Sequence, residues 1–313
     1  MNSLNFIEQY PDEARCKAKW KAIREKEGVL CPHCGGKEHY WKTNKENYEC
    51  KACGYRQSLK ANTVMHGSNL PFRYWFIAIH LLTSTKKSFS QRQLGHKLYE
   101  PIWHLLHKLR AVIGKRDAHY SLSSIMELDE GFFTTEISED EKEKQLKSGR
   151  DSQKKSKVLV MAESTPIEGK TANKGKPRKM GHIKMIVIED LKSETITPLV
   201  EKNVSNESVI DSDHYTSYVK LKDIVKEHRQ QVIPKTEVGK VLPWVHIAIS
   251  NAKRQLLDIY HQINPEYLHS YLNEFCYIFN RRYFGEQLFD RLIVASVSYK
   301  NQIRCNCGYN LCN

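Results

Sequence analysis

Two C-x-x-C pairs, Cys31-Pro-His-Cys34 and Cys50-Lys-Ala-Cys53, constrain this chain more than any other feature. Each pair lets one tight turn present two thiolates to the same ion, and two such turns on adjacent hairpins close a cage of four. Gly35, Gly36 and Gly54 stand just after the pairs, where the backbone must turn sharply. A redox dithiol explains one pair but not two at this spacing. The pattern predicts a structural zinc ribbon over 29–60, with Zn2+ on Cys31, Cys34, Cys50 and Cys53 and no coordination position open for catalysis. Tyr40, Trp41, Tyr48 and Tyr55 are expected to pack this small fold, with His33 and His39 on its surface. The chain holds nine cysteines, an odd number, which in a reducing compartment points to metal rather than disulfides.

The formal charge of +13 asks for a polyanionic partner, because each Lys or Arg set on a phosphate releases a counterion. Ribosomal and membrane-surface proteins are basic too, so charge alone does not choose. No apolar run reaches the roughly 18–20 residues that span a bilayer. The first residues, MNSLNFIEQYPDEARCKAKW, lack a basic stretch followed by an apolar one, so the expected location is the cytoplasm. A chain of 313 residues has room for two or three domains.

Along the chain, residues 1–28 read as one or two short helices and 71–84 as a helix opening on a proline. Residues 88–98 read as a short second helix, and 100–114 as a third with apolar spacing at Ile102, Leu105, Leu106, Leu109 and Ile113. Three helices within 66–118 suit a helix-turn-helix arrangement, with Lys108, Arg110, Lys115 and Arg116 as candidate DNA contacts. A plain bundle joining two domains is the alternative. Then the period changes. SIMELDEGFFTT (124–135), VLVMAES (158–164), HIKMIVIED (182–190) and SETITPLVE (193–201) read as strands, and VIDSDHYTSY (209–218) as a strand running into a turn. The polar stretches 138–157 and 169–181 read as loops, and the chain is helical from Trp244 onward.

On a strand, Glu127, Asp129 and Gly131 share one face while Glu130 points to the other. Asp213 ends another strand, with Asp211 two residues before it. Two strand-end aspartates can hold divalent metal against a phosphodiester, and hard oxygen ligands suit Mg2+ or Mn2+. Taken alone, either aspartate is more often a solvated turn residue.

The order of elements resembles that of bacterial insertion-sequence transposases, which join an N-terminal zinc ribbon to a DDE-type, RNase H-like catalytic domain. The resemblance rests on the double C-x-x-C at 31–53, LDEGFF at 128–133, SDHYTSY at 212–218, WVHIAISNAKR at 244–254 and YLNEFCYIFNRR at 271–282. It implies that Asp129 and Asp213 are metal ligands. The third position departs from the family pattern: where a Glu stands seven residues before a helical Lys, this chain has His246 before Lys253. A variant of the family uses Asn, which makes Asn251 a candidate, and Glu274 is a reserve carboxylate. Lys253, Arg254, Arg281 and Arg282 are candidate phosphate contacts.

The resemblance implies an α/β, RNase H-like mixed sheet with flanking helices over 122–300, behind the ribbon and the helical segment, with 301–313 as a tail. It implies metal-dependent cleavage at transposon ends and strand transfer into double-stranded DNA by a homo-oligomer in the bacterial cytoplasm, at the nucleoid. Two rivals stand: a DNA-binding regulator that has lost the chemistry, and a structure-specific nuclease on the same fold. Cys305, Cys307 and Cys312 in the tail offer only three thiols at irregular spacing and are not read as a second zinc site.

Overall fold

The structure, a computed structural model, describes residues 1–85, 88–95, 98–137, 149, 152–166, 178–232, 241–260 and 262–299. Most of the expected loops at 138–157 and 169–181, and the tail with its three cysteines, lie outside the described residues. The chain divides into two compact units, Met1–Ile113 with Tyr283–Asn313, and Gly114–Arg282.

The first unit opens with α1 (Ser3–Gln9) and α2 (Glu13–Glu27), each started by a side-chain cap, Asn2 on the Asn5 amide and Asp12 on the Arg15 amide, both at 2.8 Å. A three-stranded antiparallel sheet follows, with β1 (His39–Lys42), β2 (Asn47–Cys50) and β3 (Arg56–Ser58) in that order. Helix α3 (Phe72–Ser84) and helix α4 (Tyr99–Asp117), most of which belongs to this unit, come next. Between them the expected helix over 88–98 is not formed among the described residues. A 3-10 turn, Gln91–Gln93, stands there, nucleated by a reciprocal Ser90–Gln93 capping box. The turn ends before Gly95, so the described residues hold no second helix of a helix-turn-helix. Helix α8 (Gln287–Ser298), inside the 122–300 span expected for catalysis, packs instead on α2 and α3. Phe289 meets Phe6, Tyr10 and Phe76 there at ring distances of 5.8, 5.5 and 6.1 Å.

The second unit is built on a five-stranded sheet. Its strands are β4 (Ile125–Thr134), β5 (Lys155–Pro166), β6 (Arg178–Ile188), β7 (Val209–Asp213) and β8 (Glu227–Gln231), in the order β6-β5-β4-β7-β8. β4, β5 and β6 form an antiparallel meander, while β7 and β8 join parallel to β4. This is the RNase H-like arrangement of the expected mixed sheet. Side chains alternate across it. Met126, Leu128, Leu159, Met161 and Ile210 face a core closed by α5 (Ser193–Asn203) and a 3-10 segment, Thr216–Asp223. Phe133, Val158, Val160 and Ala162 face α6 (Pro243–Ile259) and α7 (Pro265–Asn280).

One strand reading changes, and one strand was not foreseen. Residues 193–201, expected as a strand, are helical: Ile196, Val200 and Val204 fall one turn apart and are buried together, and that packing outweighs the β-branched composition. β8, with sequence EHRQQ, carries no apolar signal because it is an edge strand with polar side chains on both faces. Among the described residues, no helix is long and apolar enough to cross a membrane.

Candidate functional site

The two cysteine pairs fold into matched knuckles. In the first, the Gly35 amide donates to the Cys31 carbonyl and the Cys31 amide to the Gly36 carbonyl, both at 2.9 Å. In the second, Gly54 donates to Cys50 and Cys50 to Tyr55, again at 2.9 Å. Gly35 and Gly54 turn the chain at φ +72° and +71°, a region that costs other residues strain. The four sulfurs lie mutually within 4.8 Å, and Cys31–Cys53 and Cys34–Cys50 are each 3.6 Å apart. Sulfurs about 2.3 Å from a tetrahedral zinc stand about 3.8 Å from one another, so the quartet fits structural Zn2+ with no ligand to spare. Of the four aromatics expected to pack the ribbon, Tyr48 is buried and meets Trp41 at 4.8 Å, but Tyr40 and Tyr55 are exposed.

In the second unit, strand register brings Asp129 and Asp213 to neighbouring positions. The parallel pairing of β4 with β7 runs from Ile125↔Val209 to Leu128↔Ser212, and each aspartate is the next residue of its strand. Adjacent strands are about 4.8 Å apart, and side chains paired in register point to the same face. That face is the one covered by α6. From α6, His246 turns its Nδ1 to within 3.5 Å of Asp129 Oδ2. Donors sharing one octahedral Mg2+ or Mn2+ at 2.0–2.1 Å stand about 3 Å apart, so this pair is near ligand spacing. Among the described residues, the cysteine quartet is the one group of three or more His, Cys, Asp or Glu side chains with all ligand atoms within 4.8 Å. Asp129, Asp213 and His246 are thus a more open set.

Asp211, the near alternative to Asp213, lies against two guanidinium groups, Arg178 at 3.3 Å and Arg229 at 4.0 Å. Asn251 is exposed, and five residues on from His246 put it about 140° round the helix. Glu274 is buried on α7. Glu130 is on the opposite face of the sheet, where it accepts a hydrogen bond from the Tyr218 hydroxyl; burial and this carboxylate push the phenol well up. Lys253, two turns beyond His246, holds its ammonium 5.6 Å above the Phe133 ring.

Sequence patterning missed the role of Glu127. This carboxylate is 2% exposed, and one oxygen accepts from the Trp244 and Val245 amides at 2.7 and 3.1 Å. It caps the helix that carries His246, whose own cap position, Leu242, makes no side-chain bond. Burial pushes the Glu127 carboxyl up, the two amides pull it back in part, and Asp211 adds to the upward push.

Two expected DNA contacts are corrected. Arg110 is 1% exposed, and Arg281 is 5% exposed, tied to Asp117 at 2.5 Å and stacked on Tyr277 at 4.1 Å. Neither guanidinium reaches the surface, so neither meets a phosphate. Arg282 is exposed, but its Nη1 and Nη2 donate to the Phe279 and Met180 carbonyls. Lys108 donates to the His66 carbonyl at 2.7 Å. Lys115 and Arg254 are exposed and Arg116 half-buried.

Residues 121–280 match the ISXO2-like transposase domain, and residues 11–56 match the transposase zinc-ribbon domain. No curated protein and no solved structure matches the chain closely enough to be counted. The first match covers half of the chain and includes Asp129 in mid-strand, Asp213 at a strand end, and α6, and the second includes all four cysteines. The chain therefore belongs to the DNA transposases that carry an ISXO2-like transposase domain behind a transposase zinc ribbon.

Proposed function

We propose that this transposase hydrolyses the phosphodiester at the ends of its element and then directs the freed 3′-hydroxyl onto target DNA, with Asp129, Asp213 and His246 as the ligands of one divalent-metal centre. The register of β4 and β7 supports this reading, because its last pair, Leu128 with Ser212, stands one residue before each aspartate, and His246 is 3.5 Å from Asp129. When bound, Mg2+ or Mn2+ supplies Lewis acidity at the phosphate and a more acidic water. Asp129 and Asp213 bring hard oxygens. His246 brings an imidazole nitrogen where a carboxylate is usual, which favours Mn2+ over Mg2+ and leaves one negative charge fewer in the site. Asn251 faces elsewhere on α6 and has no part in this reading, nor has the buried Glu274. Lys253 faces the phosphates beyond the centre, and Lys108, Lys115, Arg116 and Arg254 hold double-stranded DNA by its backbone. The protein works as a homo-oligomer on paired ends, at the nucleoid in the cytoplasm.

The test is cleavage and joining of labelled DNA carrying the element's ends, in Mg2+ and in Mn2+. Asp129→Asn and Asp213→Asn each reduce the rate by about a hundredfold or more, the loss of several kcal/mol of transition-state stabilisation. Equal activity in wild type and both variants sinks the assignment. Wild type that binds these ends without nicking them in either metal identifies a regulator, the outcome that His246 in place of a carboxylate would favour. Cleavage of branched DNA with no joining identifies a nuclease.

A further inference from the structure

The sheet face that bears Asp129 continues into a cleft of about 510 Å3. Phe132 and Phe133 of β4, Lys155 of β5, and Lys253, Leu256 and Leu257 of α6 line it. Its walls are apolar and open, with Leu257 58% exposed. Two ammonium groups belong to the same cleft. Lys253 is over the Phe133 ring, and Lys155 reaches the Gly149 carbonyl at 3.0 Å. Burial, and then the charge of Lys155, hold Lys253 below its ordinary value. Among the described residues, no carboxylate lies within ion-pair distance of either lysine. An exposed apolar slot beside two like charges is a poor surface by itself. It complements a ligand with a flat apolar body and an anion attached.

The position of the cleft narrows the ligand further. Four residues of strand separate Asp129 from Phe133, about 13 Å. Seven residues of helix separate His246 from Lys253, about 10 Å. These lengths correspond to about three to four base steps along one DNA strand.

We propose that this cleft receives one extruded nucleotide of the DNA being processed, its base against Phe132 and Leu257 and its phosphate between Lys155 and Lys253. The proposal goes beyond a backbone contact by Lys253, and it relies on Asp129 and Asp213 being the reacting centre only for its distance from the cut. A stacked, paired base cannot enter such a slot, so entry requires extrusion. Every base has a π face, so an aromatic and aliphatic wall accepts any of them, and specificity then lies in which position is extruded.

The probe is an end duplex with 2-aminopurine, which brightens on unstacking, placed singly at each position within about four steps of the cut. The full chain is used as Asp129→Asn, so that the strand stays intact, and at saturating protein, so that affinity changes do not enter the reading. One position brightens. In the same background, Leu257→Asp and Lys155→Glu each reduce that signal by about fivefold or more, and Lys155→Arg keeps it. Both substituted side chains are exposed, so the fold is retained. The proposal is overturned if no position brightens, or if the signal survives both Leu257→Asp and Lys155→Glu. The centre itself is judged separately: should Asp129→Asn cleave like wild type, that reading falls, while a signal lost only in the cleft variants still assigns the cleft.

Discussion

At the scale of single residues, two buried or half-buried carboxylates do for helices what local sequence does not. Helix α3 begins after Pro71 and helix α6 at Pro243, and neither has a capping side chain at its own start. Glu13 supplies both its oxygens to the Phe72 and Arg73 amides at 2.9 Å, and Glu127 supplies one to Trp244 and Val245. Each places negative charge where the helix dipole favours it. Because His246 is in the first turn of α6, Glu127 positions it against Asp129. Glu127→Ala leaves two amides without their acceptor and lowers stability by about 2 kcal/mol, read from denaturant midpoints. It also weakens Mn2+ binding by about tenfold, while Glu127→Gln, which keeps an acceptor oxygen, restores most of both. An alanine variant with wild-type stability and Mn2+ affinity would remove Glu127 from the site. A period-2 pattern set Glu127 on the face of Asp129, but its partners are more than a hundred residues away, so its task was invisible to any local rule. Arg110 and Arg281 misled for the same reason, since a sequence shows a charge but not its burial.

Among the elements, those that are self-contained were the most legible. The ribbon could be read from spacing because each knuckle closes its own hydrogen bonds within six residues. Its geometry makes a sharp prediction about Gly36, where φ is not the constraint. A Cβ there would stand 3.1 Å from Cys50 Sγ and 3.3 Å from Cys34 Sγ, so the thiolates must shift to admit it. At Gly54 a Cβ meets nothing within 4 Å, and the cost of substitution is backbone strain alone. Gly36→Ala therefore weakens zinc by about tenfold in competition with a chromophoric chelator, a larger loss than Gly54→Ala causes. Equal affinities in wild type and Gly36→Ala would show that the cage yields freely. The central strands β4 and β5 were likewise legible from their apolar and aromatic runs. Helix α5 was not, because its Thr, Ile and Val content favours a strand until the rest of the core selects the 196–200–204 stripe. β8 was not legible either, since an edge strand with two polar faces leaves no hydrophobic period to detect.

At the scale of the whole molecule, the chain order conceals how the cores are shared. The family resemblance assigns residues 122–300 to one RNase H-like domain, which takes in 287–298. Yet Phe289, Leu292, Ile293 and Val297 are buried in the first unit, where α8 packs on α2 and α3 and Phe289 touches three aromatic rings from the opening helices and α3. The second unit is thus an insertion between two segments of one core, and a fragment ending at Arg282 lacks part of that core. Truncating a buried aromatic to alanine costs about 3–5 kcal/mol, a large share of the 5–15 kcal/mol that holds an ordinary domain together. Phe289→Ala should therefore lower the unfolding midpoint of the first unit, followed through the buried Trp20 and Trp75, while leaving α6 and the Asp129 centre folded. Residues 1–113 alone should give a loosely packed state with mobile tryptophans, and adding a peptide of residues 283–299 should restore their fixed environment. Native tryptophan signals from 1–113 without the peptide would show that α8 only decorates that core.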